Sequence, residues 1–441
     1  MLLTGATVLT SLDPVRVARE DVCVVDGRIA ASGEGPSRDC SGCLVIPGNV
    51  CAHTHLYSAL ARGMPYALAP PTNFTQILQR IWWRLDRALD EDTIRASALV
   101  GGMEALLSGT TTLVDHHASP HAIDGSLDIV EEALRSLGVR SVLCYETSDR
   151  DGPERALAGV MENRRFLDRV RREHLALARG MVGAHASFTL SDETLAACCE
   201  AAGVYGVGLH IHAAEDSADE VDSLARCGDR VAERLHRAGA LDERTLLAHG
   251  VHLDDDEITL VCGAGASLAH NARSNMNNSI GRARVAELGP RVSLGTDGIG
   301  SDMFEESRAA FLRLREDDSG TGGDWPLRRL AEGAHLAGRA FGEPGLGTLE
   351  EGAPADLVVL DYPAPTPVHD GSFAGHWVFG LSSRNVRDVM VAGEWAVLDR
   401  RLAKADQQQL AAEALVEAER LWQRLDEIGP HPFEPHGSKG G

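Results

Sequence analysis

The chain has 441 residues, of which 44% are hydrophobic and 24% charged, the make-up of a globular protein with a substantial core. A formal net charge of −23 argues against a polyanionic partner such as DNA or RNA and against an anionic membrane surface. No apolar run approaches the ~20 residues needed to span a bilayer, and Met1–Gly5 has no basic region leading into an apolar one, so the expected compartment is the cytoplasm. The nine cysteines are scattered and odd in number. Without a signal segment they do not read as a disulfide framework. Cys40-Ser41-Gly42-Cys43 has half-zinc spacing, but no second pair completes a four-cysteine site, so it reads as incidental or buried.

In chain order, residues 1–46 read as short strands and turns. Ala6–Leu9 and Asp21–Val25 are β-rich, and Asp26-Gly27 is a hairpin signal. The apolar run Leu44-Val45-Ile46 breaks at Pro47-Gly48 and leads to His53-Thr54-His55. In extended chain, residues i and i+2 share a side, so these two imidazoles can converge on one point. Seven more apolar runs follow, at Thr110–Val114, Ser141–Tyr145, Met181–Ala184, Val207–Ile211, Thr245–Ala248, Ala266–Ala269 and Val292–Gly295. With Cys43–Ile46 they make eight. Helical stretches such as Thr93–Leu107 and Ser126–Leu137 separate them. Alternating strand and helix predicts a parallel sheet, and eight repeats predict a closed (β/α)8 barrel. The long inserts Ala59–Asp92 and Ser301–Trp325 are expected to shape a pocket. Ala355–Leu360 and Val386–Gly393 resemble the opening strands, so both chain ends are expected to pair into a small β-sandwich. The fold class is therefore α/β, a TIM barrel over 47–345 with a discontinuous β-sandwich built from 1–46 and 346–403. A C-terminal helix (Ala403–Leu425) and a frayed tail complete the segment 404–441.

Chemistry collects at the strand ends. His53 and His55 follow the first run, Asp115-His116-His117 the second, His185 the fourth, His212 and Glu215 the fifth, His249 the sixth, His270 the seventh and Asp297 the eighth. In a parallel barrel all these ends face one mouth. His53, His55 and His212 offer nitrogen, and Asp297 a carboxylate, leaving a place for water as a catalytic metal requires. Glu215 is then the general acid/base, and His249 orients the water or binds a developing oxyanion. His210, one step deeper than His212, reads as a buried structural histidine. The acidic run after His252 reads as a helix N-terminal turn.

Pro47-Gly48-Asn49-x-x-Ala52-His53-x-His55, His212-x-x-Glu215, Ala248-His249, Ser274-Asn275-Met276 and Gly295-Thr296-Asp297-Gly298 stand in the order seen in the amidohydrolase superfamily. The branch they resemble contains the cytosine, guanine and S-adenosylhomocysteine deaminases and the triazine chlorohydrolases. The stretches around His53, Asp115 and Asn275 look closest to the aminohydrolases called SsnA. The resemblance runs from about Val8 to Gly393. It implies one divalent metal per chain, zinc first and iron as the alternative, held by His53, His55, His212 and Asp297. It implies Glu215 and His249 as the proton-handling pair, with Asp297 able to share that work. The implied reaction is hydrolytic deamination of an amino-substituted N-heterocycle, a purine, pteridine, pyrimidine or triazine, with ring opening or dechlorination as alternatives. A non-catalytic binding protein would lack a ligand or Glu215, and neither is missing.

Two-metal members of the superfamily use a carboxylated lysine on the barrel. The only lysines here are Lys404 and Lys439, both outside it, which favours a single metal. The lysine that relatives often carry after Ser-Asn-Met is replaced by Asn277-Asn278. Substrate contacts are expected from His116, His117 and His185 at strand ends, from Arg62, Gln76 and Trp82 in the first long insert, and from Asn275. Of Trp82 and Trp83, one is expected to be core. The partners expected are a small heterocycle and a second copy of the chain, as a homodimer or larger homo-oligomer.

Overall fold

A computed structural model describes residues 1–437. Its centre is two parallel sheets. The first orders β1 (Asn49–Thr54), β2 (Thr110–His117), β3 (Arg140–Tyr145) and a short stub at Ala178–Gly180. The second orders β4 (Val182–Ala186), β5 (Leu209–Ala213), β6 (Leu246–His249), β7 (Ser267–His270) and β8 (Val292–Leu294). Every residue of β1 to β8 is buried, as expected for parallel strands covered on both faces. Single parallel bridges, Thr54 to Asp297 and Thr147 to Ala184, connect one sheet to the other.

The first strand differs from expectation. Leu44–Pro47 pairs antiparallel with Leu357–Leu360 and parallel with Thr7–Leu12, in a seven-stranded sheet made from both chain ends. The strand that carries the first histidines is β1, beyond the Pro47-Gly48 break. An all-apolar run is equally at home in either sheet, so sequence alone misassigned it. Gly48 makes the transfer sterically feasible, because a Cβ there would lie 2.3 Å from Thr111 Oγ1. A second, four-stranded sheet from the N-terminal segment shares a core with the seven-stranded one, including Leu3, Val8, Val24, Val45, Leu357 and Met390. Cys40 and Cys43 sit buried in that core as free thiols facing Arg387. The Arg140–Asp356 pair, at 2.8 and 3.0 Å, ties β3 to the C-terminal strands.

The first long insert is helical from Phe74 to Ala88, with a π-helical turn at Leu78–Trp82. Such turns widen a helix and recur at functional sites. The second insert contains a helix, Met303–Arg315. The expected C-terminal helix is present as Gln407–Asp426. The frayed tail is corrected for 428–437: residues 428–434 pack on the first insert, and His436 bonds Asp222. Arg84 Nε donates to Ile428 O at 2.6 Å, His431 N to Gln79 O at 2.9 Å and Gln79 Nε2 to Phe433 O at 2.7 Å. Tail residues 438–441 lie outside the described residues. No helix among the described residues is long and apolar enough to cross a membrane.

Candidate active site

At one end of the parallel strands, ligand atoms of His53, His55, His212 and Asp297 all lie within 4.8 Å of one another. Gly295 permits this. A Cβ on it would stand 2.7 Å from that of His53, so only glycine lets the turn after β8 close on β1. Ala214, His249 and Asp297 have φ values of +49°, +76° and +54°. Non-glycine residues seldom adopt this conformation, and all three stand where a strand end turns its chain at the cluster.

Hydrogen bonds fix the rings. His55 Nδ1 donates to His116 O at 2.6 Å, and His212 Nδ1 to His185 O at 2.7 Å. A neutral ring that donates from Nδ1 carries its lone pair on Nε2. Those two Nε2 atoms face each other at 3.1 Å, a repulsive arrangement that a cation between them relieves. His53 Nδ1 contacts His210 Nε2 at 2.8 Å, and its own Nε2 is buried without a partner. His210, expected to be structural, thus holds a ring of the cluster. Three imidazole nitrogens and one carboxylate match a catalytic zinc-type donor set with one open position. Orientation of each ring through its far nitrogen is the usual support for such ligands. Burial lowers His53 to about 3, which keeps it a neutral donor. Burial opposes charge on His55 as well, yet the Asp297 carboxylate 3.1 Å away raises it to about 9. Positive charge is favoured at that point.

Glu215 and His249 stand beside the cluster. His249 Nε2 lies 3.7 Å from Glu215 Oε1 and 3.9 Å from Asp297 Oδ2. The two carboxylates are driven apart. Burial, reinforced by Asp297, raises Glu215 well above the ordinary range. Burial works the same way on Asp297, but the His53 and His55 rings outweigh it and hold Asp297 well below that range. Environments that separate two carboxylates in this way set one up to carry protons and the other to stay anionic.

The cavity at the cluster measures ≈ 40 Å³ and is lined by Tyr57, Phe74, Trp82, Trp83, Glu146, His185 and Asn278 among others, which is room for water only. Trp82 also lines a neighbouring cavity of ≈ 280 Å³ with Arg62, Glu104 and Ser301. Of the expected substrate contacts, His185 and Trp82 line the cluster cavity. Trp83 does so too while being 1% exposed, so one of the tryptophans is indeed core. The others have these partners in the structure. His116 gives its nitrogens to Glu146 (3.1 Å) and His210 O (3.1 Å). His117 bonds Ser119. Gln76 closes on Thr72, and Arg62 pairs with Glu104 in the outer cavity. Asn275 Oδ1 accepts from His249 Nδ1 at 2.8 Å and faces the proton-handling histidine instead of the cavity. Asn278, at the place of the absent lysine, donates to Ser274 Oγ, which in turn bonds Asp297.

Sequence reading missed Glu146. It is the first residue after β3, the one strand end that a search for histidine and aspartate passed over. Glu146 Oε1 accepts from Arg150 at 3.0 Å, and Arg150 also bonds buried Asp86. Burial opposes its charge, but His185, His116 and Arg150 outweigh that and hold Glu146 well below the ordinary carboxylate range. A fixed anion therefore faces the cavity.

These features define a metal-dependent hydrolase. Residues 44–396 match the model of the amidohydrolase family; the chain belongs to that family and is a hydrolase acting on C–N bonds. A 5'-deoxyadenosine deaminase of Methanopyrus kandleri is 32% identical over 86% of this chain and 86% of its own. A 5-methylthioadenosine/S-adenosylhomocysteine deaminase of Nitratidesulfovibrio vulgaris is 33% identical over 97% of this chain and 98% of its own. Among solved structures, an adenosine deaminase of Xanthomonas campestris with bound zinc superposes with a TM-score of 0.82 at 23% identity, covering 96% of this chain and 98% of its own.

Proposed function

We propose that the chain is a metal-dependent aminohydrolase that removes the exocyclic amino group of an adenosine derivative, with a modified or absent 5' hydroxyl. The convergence of His53, His55, His212 and Asp297 beside Glu215 and His249 carries the reading, and the deaminase names of relatives at 32% and 33% identity support the substrate class. The chemistry of the donor set favours zinc. A divalent cation there supplies a water acidic enough to act as a nucleophile near neutral pH.

The chain's own residues do the rest. Glu215 takes a proton from the water and delivers it to the ring nitrogen beside the attacked carbon. His249, held by Asn275, steadies the oxygen on which negative charge grows. Glu215 then takes the second proton, from the new hydroxyl, and passes it to the amino group, which leaves as ammonia, while Asp297 stays anionic. Glu146 offers its fixed carboxylate to a hydroxyl or N–H of the substrate. A nucleoside needs more room than the cluster cavity gives, and Trp82, His55, Ser58 and Gly298 line both that cavity and the outer one, so the two together are the space expected for it. The parallel strands form one barrel over 47–345, the end sheets a sandwich from 1–46 and 346–403, and the segment from 404 closes one wall.

Ammonia release is to be measured with 5'-deoxyadenosine, 5-methylthioadenosine, adenine, guanine and a chlorotriazine. The expected result is turnover of the nucleosides and none of the free bases. Glu215→Gln should keep its metal by elemental analysis and lose about 10²–10⁴-fold in kcat. Chloride release without ammonia, or an active Glu215→Gln, overturns the reading.

A further inference from the structure

A second cavity lies away from the cluster. It opens at the other end of the parallel strands and measures ≈ 590 Å³, within the ~300–1,000 Å³ of small-molecule sites. Its inner end is apolar, with Val142, Met181 and Leu336. Its remaining lining includes Arg171, Arg179, Arg244, Arg291 and Arg339, against Glu243 as the only carboxylate. In a chain of net charge −23 this is a local reversal of sign, and low-dielectric walls concentrate the resulting field.

Two of the five arginines are neutralised. Arg244 bonds Asp242 at 3.0 Å and Arg339 bonds Glu332 at 3.1 Å. Arg171, Arg179 and Arg291 have no carboxylate partner among the described residues. Each spends one terminal nitrogen on main-chain carbonyls. Arg171 reaches Tyr205 O, Arg179 reaches Leu175 O and Ala178 O, and Arg291 reaches Glu243 O and Gly265 O. Capping of helix ends by cations is ordinary, and it accounts for that nitrogen alone. The second terminal nitrogen and Nε of Arg179 and of Arg291 have no hydrogen-bond partner among the described residues. The nearby carboxylate of Glu343 is already gripped by Arg28 through both oxygens, at 3.0 and 2.6 Å. Burial and the neighbouring Arg140 cation push the Arg179 guanidinium below its ordinary value, a cost that a bound anion removes.

We propose that this cavity binds a small amphipathic anion, with an aliphatic or aromatic body against Val142, Met181 and Leu336 and a phosphate or carboxylate held by Arg179 and Arg291. A guanidinium with a free edge suits either head group, because its parallel N–H donors match two oxygens. The site is separate from the metal cluster and independent of which substrate the enzyme takes.

The test is calorimetric titration of the metal-loaded, full-length protein with phenyl phosphate, octanoate, inorganic phosphate and adenosine. Saturable binding of phenyl phosphate or of octanoate is expected, and which of the two binds identifies the head group. Arg179→Gln/Arg291→Gln should weaken it about tenfold or more while kcat/KM for deamination is unchanged. Val207→Trp fills the cavity mouth and leaves both arginines and their carbonyl bonds in place, so it should abolish the same binding even where the double variant fails to fold. Adenosine binding belongs to the metal end and should ignore both variants. The proposal is overturned if no anion saturates, if binding survives both variants, or if inorganic phosphate binds as tightly as the amphipathic probes.

Discussion

Asn275 gives the sharpest test of how the proton-handling pair is held. Its Oδ1 accepts from His249 Nδ1 at 2.8 Å, and both residues are buried, at 2% and 0% exposure. That bond sets the tautomer and turns Nε2 toward Glu215 and Asp297. Asn275→Leu keeps the volume roughly and removes the acceptor. A net neutral hydrogen bond is worth about 1 kcal/mol, and leaving the buried Nδ1–H unpaired adds about 1 kcal/mol more. The total of about 2 kcal/mol corresponds to roughly a 30-fold loss in kcat/KM. The loss should fall on kcat more than on KM, because Asn275 does not line the substrate cavity. Metal content should stay the same, since His249 is not a member of the four-ligand cluster. Asn275→Asp, which keeps the acceptor, should recover orientation and shift the pH profile, because a carboxylate favours the charged imidazole. Steady-state ammonia release across pH, with elemental analysis of each variant, reads all of this. An Asn275→Leu enzyme within twofold of the parent, or one that loses its metal, refutes the assigned role.

Three further outcomes follow from the geometry. Chelation should abolish activity and lower Tm, because a bound cation stabilises the folded state by mass action; zinc should restore both in the parent but not in His212→Ala, and full turnover in verified metal-free protein contradicts the cluster's role. Arg140→Met strips buried Asp356 of its guanidinium, leaving the Ala392 amide at 2.6 Å, and should cost about 3 kcal/mol in urea unfolding; Arg140→Met/Asp356→Leu should recover much of it, and a neutral single variant argues against the pair as a tie between β3 and the end sheet. Arg38 bonds Asp388 at 2.6 and 2.8 Å; burial opposes the Asp388 charge, but Arg38, with the Asp399 amide and Arg387, outweighs it and lowers the carboxyl below its ordinary 3.8. The stability this contributes is present above about pH 3.8 and is lost as pH falls through the depressed folded value. Arg38→Met should therefore cost about 2 kcal/mol at neutral pH, with the gap to the parent narrowing in acid; a gap that is constant with pH tells against the linkage.

The convergence of His53, His55, His212 and Asp297 was legible from sequence because each lies within a few residues of the end of an apolar strand. His53 and His55 need only the two-residue period of extended chain to converge. His212, His249 and Asp297 need only the rule that parallel strands end on one face. The chain's own order therefore determined the α/β class and which residues converge at the strand ends. Tertiary structure decided the rest, because the contacts involved join residues far apart in sequence. No local pattern reveals that Asn275 faces His249, that Glu146 is gripped by Arg150 and Asp86, or that His431 and Phe433 press on Trp83 with ring centroids 5.3 and 5.7 Å away. Nor can an apolar run such as Leu44-Val45-Ile46 announce which sheet it joins, since burial on both faces erases the alternation that would distinguish them.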